Sequence, residues 1–147
     1  MNLAELKKRG FIRSIPVDKI QIKELLAISE RDVGLAEELL PKSFDGSLNL
    51  SYNAMLQAAR ALMFSYGYRP DSEFHHKATI EFVSAVLHEK YKTFVESLDR
   101  IRSKRILATY ERAGAISEFE AKYALKSAKD FVALAKEKIK SKLSRTY

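Results

Sequence analysis

Residues 48 to 66 constrain the fold most strongly, because they place apolar side chains at the spacing of one helix face. An α-helix turns by about 100° per residue, so residues three, four and seven positions apart share a face. The apolar stripe consists of Tyr52, Met55, Leu56, Ala59, Leu62 and Met63, and the alanines on the other side are Ala54, Ala58 and Ala61. This pattern predicts a central, closely packed helix in an all-α domain.

Further helical patterns flank this one, and glycine or proline separates most of them. The predicted helices run from Lys19 to about Leu40, from Asp71 or Ser72 to near His88, from Lys90 to Arg112 and from Ser117 to about Lys138. Asp18 with Gln21, and Ser117 with Glu120, have the spacing of capping boxes. Residues 42 to 47 are expected to form a loop that turns at Asp45 and Gly46, since this dipeptide is typical of turns.

No period-2 alternation bounded by turns predicts a strand. The fold class is therefore all-α, and we expect an up-and-down four-helix bundle with a short additional helix in residues 3 to 8. The chain of 147 residues is expected to form a single domain, residues 1 to 147, with a basic tail that frays from about residue 139. The last helix is expected to bury Phe119, Tyr123, Ala124, Ala128, Phe131, Val132 and Ala135.

The net charge of +7 lies entirely in the second part of the chain. Residues 1 to 88 contain 11 Lys or Arg and 11 Asp or Glu, whereas residues 89 to 147 contain 15 and 8. This asymmetry fits an acidic or nucleic-acid partner, and it equally fits two solvated, lysine-rich helices. No apolar run approaches the roughly 18 residues of a membrane span, and the chain has no cysteine. We therefore expect a cytoplasmic protein without a membrane contact.

Several classes of site are disfavoured by the sequence. The glycines form no phosphate-binding loop, and no Gly-x-Ser-x-Gly motif occurs. His75 and His76 are adjacent, so they point about 100° apart on a helix. Glu73 and His76 have the spacing of half a di-iron motif, but the second copy is absent. We expect no metal site and no cofactor.

The most informative polar pattern lies in the fourth predicted helix. Its apolar stripe, which begins at Tyr91 and includes Leu98, continues through Arg102 and Arg105. An unpaired arginine is costly to bury, so this face is expected to meet acidic partners, water, another subunit or a ligand. The spacing of the two arginines allows them to grip one phosphate or one carboxylate. The alternative is structural ion pairing with Asp99 or Glu118.

The order of these features resembles the HEPN family (higher eukaryotes and prokaryotes nucleotide-binding domain). The similarity covers about residues 5 to 140. Its motifs are the Tyr/Ala-rich helix at 51 to 62, the Gly-x-x-Pro break at 67 to 70, His76 at the start of the next helix, the arginine-rich motif 102 to 105 with Tyr110, and the Ala/Phe/Val helix at 121 to 139.

The resemblance implies a helical bundle that often forms homodimers. It also implies a toxin–antitoxin context, in which HEPN proteins pair with minimal nucleotidyltransferases that act as antitoxins. Many members are metal-independent ribonucleases whose motif is an arginine, a neighbouring polar residue and a histidine four to six residues later. This chain departs from that motif, since Ile106 follows Arg105 and Tyr110 stands where the histidine would be.

The departure from the motif decides the expected function. Tyrosine has a pKa near 10 and is a poor general base at neutral pH. Tyr110 is also offset from Arg105 by about 140° on a helix. Of the three histidines, His76 is the best candidate to replace the missing base, but only if the fold brings it to the Arg105 end. We expect Arg102, Arg105 and Tyr110 to bind nucleic acid, a nucleotide or a partner protein, and ribonuclease activity to be weak or absent.

Two alternatives stay open at this point. The first is an active ribonuclease toxin with catalytic candidates Arg105, Tyr110 and His76. The second is a structural partner of a minimal nucleotidyltransferase without a reaction of its own.

Overall fold

A computed structural model describes residues 2–71, 75–87, 92–111 and 114–144. In this part of the chain the elements, in order, are α1 (Leu3–Lys8), β1 (Ile12–Ser14), α2 (Lys19–Leu39), α3 (Phe44–Ser65), β2 (Tyr68–Pro70), α4 (His75–Val86), α5 (Lys92–Ile106) and α6 (Glu118–Ser144). A π-helical segment, Leu107–Glu111, continues directly from α5. The all-α bundle predicted from the sequence is confirmed.

Several predicted boundaries lie outside the described residues. These are the start of the third predicted helix at Ser72 with Glu73, its end near His88, and the limits of the fourth at Lys90 and Arg112, together with Tyr91.

The helix starts follow from local capping chemistry. Asp18 Oδ1 accepts hydrogen bonds from the backbone N–H groups of Ile20 and Gln21, so it satisfies two donors that the first turn of a helix leaves free. Ser117 and Glu120 form the predicted reciprocal capping box, with side-chain to backbone distances of 3.1 and 3.0 Å. Both predicted starts are confirmed.

The start of α3 corrects one prediction. Ser43 caps this helix by accepting a hydrogen bond from the Gly46 N–H at 2.9 Å. Asp45 and Gly46 therefore lie in the first turn of α3 rather than in a loop turn. The reason is that a serine N-cap and an acidic residue in the first turn both stabilise a helix start, and these terms outweigh the turn preference of the Asp-Gly pair.

Helix α3 is central, as predicted, and it packs against α2 and α6. Its alanines at 54, 58, 59 and 61 are fully buried, together with Met55 and Met63. The core continues into α6 through Ala124, Ala128 and Phe131. Two serine hydroxyls tie α2 to α3: Ser29 donates to the Ala54 carbonyl and Ser47 donates to the Ala36 carbonyl, both at 2.7 Å.

A two-stranded antiparallel ladder, which the sequence did not predict, joins β1 to β2. Its register pairs Ile12 with Pro70, Arg13 with Arg69 and Ser14 with Tyr68. Gly67 turns the chain out of α3 with a φ of +80°, a conformation that glycine adopts without strain. Strands of three residues are too short for an alternating pattern to be detectable in the sequence.

Helix α6 differs from expectation at both ends. Phe119 was expected to be buried, but 79% of it is exposed, because the first turn of α6 extends past the core that Ala121 enters two residues later. At the other end, α6 continues to Ser144, whereas the sequence predicted its end near Lys138 and a fraying tail from about residue 139. Ile139 is buried in the core, and its burial favours helix beyond the predicted end.

None of the described helices has the length and hydrophobicity that crossing a membrane would require.

Candidate functional site

The arginine face of α5 begins where its buried side chains end. Leu98 and Ile101 are buried, whereas Arg102 and Arg105 are half-buried. The acidic residues considered as their partners are engaged elsewhere, since Asp99 contacts His76 and Glu118 pairs with Lys122. Among the described residues neither Arg102 nor Arg105 forms an ion pair.

Arg105 is held in place by two residues of α3. Its Nε donates a hydrogen bond to Asn49 Oδ1 at 2.7 Å, and its guanidinium carbon lies 5.3 Å from the centroid of the Tyr52 ring. Asn49 and Tyr52 are three positions apart and therefore share one face of α3. A guanidinium carries five N–H donors, and only Nε is engaged within the described part of the chain. The remaining donors form a planar fork that suits a phosphate or carboxylate.

His76, in the first turn of α4, connects α3 to α5. Its Nδ1 lies 3.1 Å from the Tyr52 hydroxyl, and its Nε2 lies 3.2 Å from Asp99 Oδ1. An ionised carboxylate can only accept, so Nε2 carries the proton that faces Asp99. In a neutral imidazole the other nitrogen is then an acceptor, and the Tyr52 hydroxyl donates to it. The result is a hydrogen-bond chain in which Tyr52 donates to His76 and His76 donates to Asp99.

Burial and the arginine charges decide whether the side chains of His76 and Tyr52 carry a proton. Burial lowers the pKa of His76 most strongly, and the charge of Arg102 lowers it further, against the opposing effect of Asp99. The imidazole is therefore neutral at pH 7. Burial also raises the pKa of Tyr52 despite the nearby charges of Arg102 and Arg105. Tyr52 thus keeps its proton, and His76 is the group in the cluster that can accept one.

We call Asn49, Tyr52, His76, Asp99, Arg102 and Arg105 the polar cluster. The fold brings His76 to the Arg105 end of the bundle. The sequence predicts a role for His76 in the site only if the fold does so. Tyr110 is not part of this cluster. It lies on the π-helical segment with 74% of its surface exposed, and within the described residues it has no hydrogen bond or ring contact with Arg105.

Three members of the polar cluster were not among the sequence candidates for the site. The apolar stripe predicts Tyr52 in the core, and it is 6% exposed, yet its hydroxyl faces His76. The sequence indicates Asp99 only as a partner of the arginines, whereas it contacts His76. Asn49 precedes the apolar stripe by one turn of α3. The polar pair Asn49 and Tyr52 at a spacing of three was the only sequence signal, and it is common on helices.

Within the described residues, no three His, Asp or Glu side chains come together as potential metal ligands. The side chains of the polar cluster themselves offer anion binding by the arginines and proton transfer by His76.

Comparison with known proteins identifies the family. The model of the HEPN domain matches residues 22–139 of this chain, a range that includes the whole polar cluster. The chain belongs to the HEPN family. No curated protein matches its sequence at a significant level.

The HEPN fold of this chain is similar to the crystal structure of TT1696 from Thermus thermophilus. The two have a TM-score of 0.65 and 17% sequence identity, over 80% of this chain and 98% of that chain. At this identity the similarity extends to the fold alone.

Proposed function

We propose that this HEPN protein binds single-stranded RNA through the face formed by Arg102 and Arg105. The observation that carries the proposal is the state of Arg105: its guanidinium is positioned by Asn49 and Tyr52, yet most of its donors face no acidic side chain of the described chain. A guanidinium fixed in this way is prepared for a phosphate, because little side-chain freedom is lost on binding. The excess positive charge of residues 89 to 147 adds a longer-range attraction.

The test is RNA binding measured by fluorescence anisotropy at several salt concentrations. A charged hydrogen bond contributes roughly 1.5–3 kcal/mol, so Arg105→Ala is expected to weaken binding by about tenfold or more. The melting temperature should fall by no more than a few degrees, and binding by the wild-type protein should weaken steeply with salt. Unfolding of Arg105→Ala would instead assign a structural role to this arginine.

Arg100→Ala is the matched control, because it removes the same charge from the same helix. Arg100 is exposed and lies over the Tyr123 ring rather than in the polar cluster. Equal loss of RNA binding in both variants would mean that net charge, and not the Arg102 and Arg105 face, determines affinity.

A second candidate function is metal-independent RNA cleavage, and the Tyr52–His76–Asp99 chain favours it. A neutral histidine oriented by a carboxylate is a suitable general base. The 2′-hydroxyl of RNA would give its proton to His76 Nδ1 once Tyr52 turns away, and its oxygen would attack the adjacent phosphorus. The bond from phosphorus to the 5′-oxygen would then break as that oxygen takes up the proton that His76 has accepted.

Cleavage is tested with a mixed-sequence RNA in EDTA. Cleavage by the wild type that is lost in both Arg105→Ala and His76→Ala, and retained in Tyr110→Phe, would establish the second function. Binding without cleavage would support the first function alone, as the sequence predicted from the missing motif histidine.

The assembly is also proposed. A twofold interface places the same patch on both subunits, so a homodimer would bring two copies of the Arg102 and Arg105 face into one cleft. We place this dimer in the cytoplasm, in a toxin–antitoxin system with a minimal nucleotidyltransferase as antitoxin. Light scattering of the purified protein at micromolar concentration should give the mass of a dimer, and a monomer would contradict this assembly.

A further inference from the structure

A second concentration of arginines lies in a cleft away from the polar cluster. The cleft has a volume of about 380 Å³ and lies between the start of α2, the end of α3, strand β2 and the start of α4. Its charged lining includes Arg60, Arg69, His75 and Asp18, and its apolar walls include Phe64 and Pro16. This volume is within the usual range for small-molecule sites. His75 lines this cleft whereas its neighbour His76 belongs to the polar cluster, so α4 contributes to both.

Arg60 is incompletely satisfied in this cleft. One terminal nitrogen donates to Gln57 Oε1 at 3.1 Å, and the guanidinium lies 5.7 Å from the Phe64 ring. Its Nε is buried and has no hydrogen-bond partner in the described structure. A buried charged donor without an acceptor is costly. The second terminal nitrogen, Nη2, also has no hydrogen-bond partner in the described structure and is not buried, so it is the donor that a ligand in the cleft can reach.

Arg69 adds a second positive charge to the same cleft. Burial is the main reason that the pKa of Arg60 is lowered. The positive charge of Arg69 lowers this pKa further, because the two guanidinium groups repel each other. Arg69 also stands directly opposite Arg13 in the β-ladder, and like charges at such positions destabilise a strand pair. Within the described ranges none of these three arginines forms an ion pair. Asp18 also lines the cleft, but its carboxylate accepts hydrogen bonds from backbone N–H groups in the first turn of α2 and forms no ion pair with these arginines.

We propose that this cleft binds a phosphate monoester, with the phosphate held between Arg60 and Arg69 and the organic group against Phe64. Two separate guanidinium groups and the His75 imidazole offer more donors than one carboxylate needs. They suit a group with three terminal oxygens and a charge of about −1.5 to −2 at neutral pH. The cleft is also larger than a bare phosphate requires, and its proline and phenylalanine walls suit an apolar or planar substituent.

The experiment is calorimetric titration of the full chain with phenyl phosphate, with benzoate as the carboxylate comparison. Wild type is expected to bind phenyl phosphate, and Arg69→Gln to bind it about tenfold more weakly or worse, because one charged hydrogen-bonding partner is lost. Arg69 is exposed on β2, so its replacement leaves the core intact. A 5′-phosphorylated dinucleotide in a parallel titration distinguishes an RNA end from a small metabolite as the source of the phosphate.

Two control variants make the result specific. Arg9→Gln removes the same charge from an exposed residue outside the cleft and should bind phenyl phosphate as the wild type does. Arg105→Ala should keep the phenyl phosphate binding that Arg69→Gln loses, so that failure of the RNA-binding proposal and failure of this one are separable. Equal binding by Arg69→Gln and wild type, benzoate as tight as phenyl phosphate, or no binding at millimolar ligand would each overturn the proposal.

Discussion

Helix α3 contributes to two regions of different character, the apolar frame of the bundle (the buried apolar residues that α2, α3 and α6 share) and the polar cluster. Ala54, Ala58 and Ala61 lie on one side and are fully buried, and the Ala54 carbonyl accepts a hydrogen bond from Ser29 of α2. Asn49 and Tyr52 lie on the opposite side of the same helix and contact side chains of α4 and α5. The alanine side belongs to the apolar frame. On the other side, the stripe that begins at Tyr52 continues into buried apolar residues such as Met55 and Met63, so the polar cluster occupies only the N-terminal end of that side.

The difference shows how stability and chemistry are separated in this fold. Among the described residues, Asp32 is the one charged side chain that is buried, and it accepts hydrogen bonds from Arg31 and Asn53. The polar cluster contains two arginines without acidic partners in the described chain and a histidine kept neutral by burial. Changes in the frame should therefore affect folding, and changes in the cluster should affect binding and pH dependence.

The largest effect is expected for Phe131→Ala in the apolar frame. Phe131 is 1% exposed and its ring centroid lies 6.2 Å from that of Phe94. Removal of a buried phenylalanine costs about 3–5 kcal/mol through lost burial and the cavity that remains. Phe119→Ala, in the same helix, is the matched control and should change the free energy of unfolding by less than about 0.5 kcal/mol because Phe119 is exposed. Urea denaturation measures both, and similar losses would remove the distinction between frame and surface.

A smaller loss is expected for Tyr52→Phe, which keeps the ring below Arg105 and removes only the hydroxyl. His76 Nδ1 then loses its donor at a partly buried position, at a cost near the lower end of the roughly 1–3 kcal/mol of an unsatisfied buried acceptor. Tyr110→Phe should have no measurable effect, since Tyr110 is exposed. Thermal or urea denaturation measures the stability of both proteins. Equal stability of Tyr52→Phe and the wild type would mean that the hydrogen bond from Tyr52 to His76 does not form in solution.

The smallest effect concerns pH. The pKa of His76 is lowered in the folded protein, mainly by burial, so the unfolded chain binds this proton more readily. Stability from this group is present above its unfolded pKa of about 6.5 and is lost as the pH falls. The free energy of unfolding should therefore decrease less between pH 7.5 and 5.5 in His76→Gln than in the wild type. A larger decrease in His76→Gln than in the wild type would contradict the assignment.

The helices were predictable because their signals are local. Apolar periodicity identified α2, α3 and α6, and Asp18 and Ser117 identified two helix starts from residues within one turn. The loop expected at Asp45 and Gly46 failed for a local reason as well, since two helix-start signals compete there with one turn signal. The three-residue strands β1 and β2 carry too few residues for any periodicity to be read.

The candidate site was predictable only in part. The sequence by itself determined that Arg102 and Arg105 continue an apolar stripe and that His75 and His76 point in different directions, because both statements follow from the helical repeat. Only the tertiary structure decided that His76 meets Tyr52 and Asp99, 24 and 23 positions away, and that Arg105 meets Asn49, 56 positions away. Helical geometry fixes neighbours within about one turn, whereas the packing of α3, α4 and α5 fixes these distant contacts.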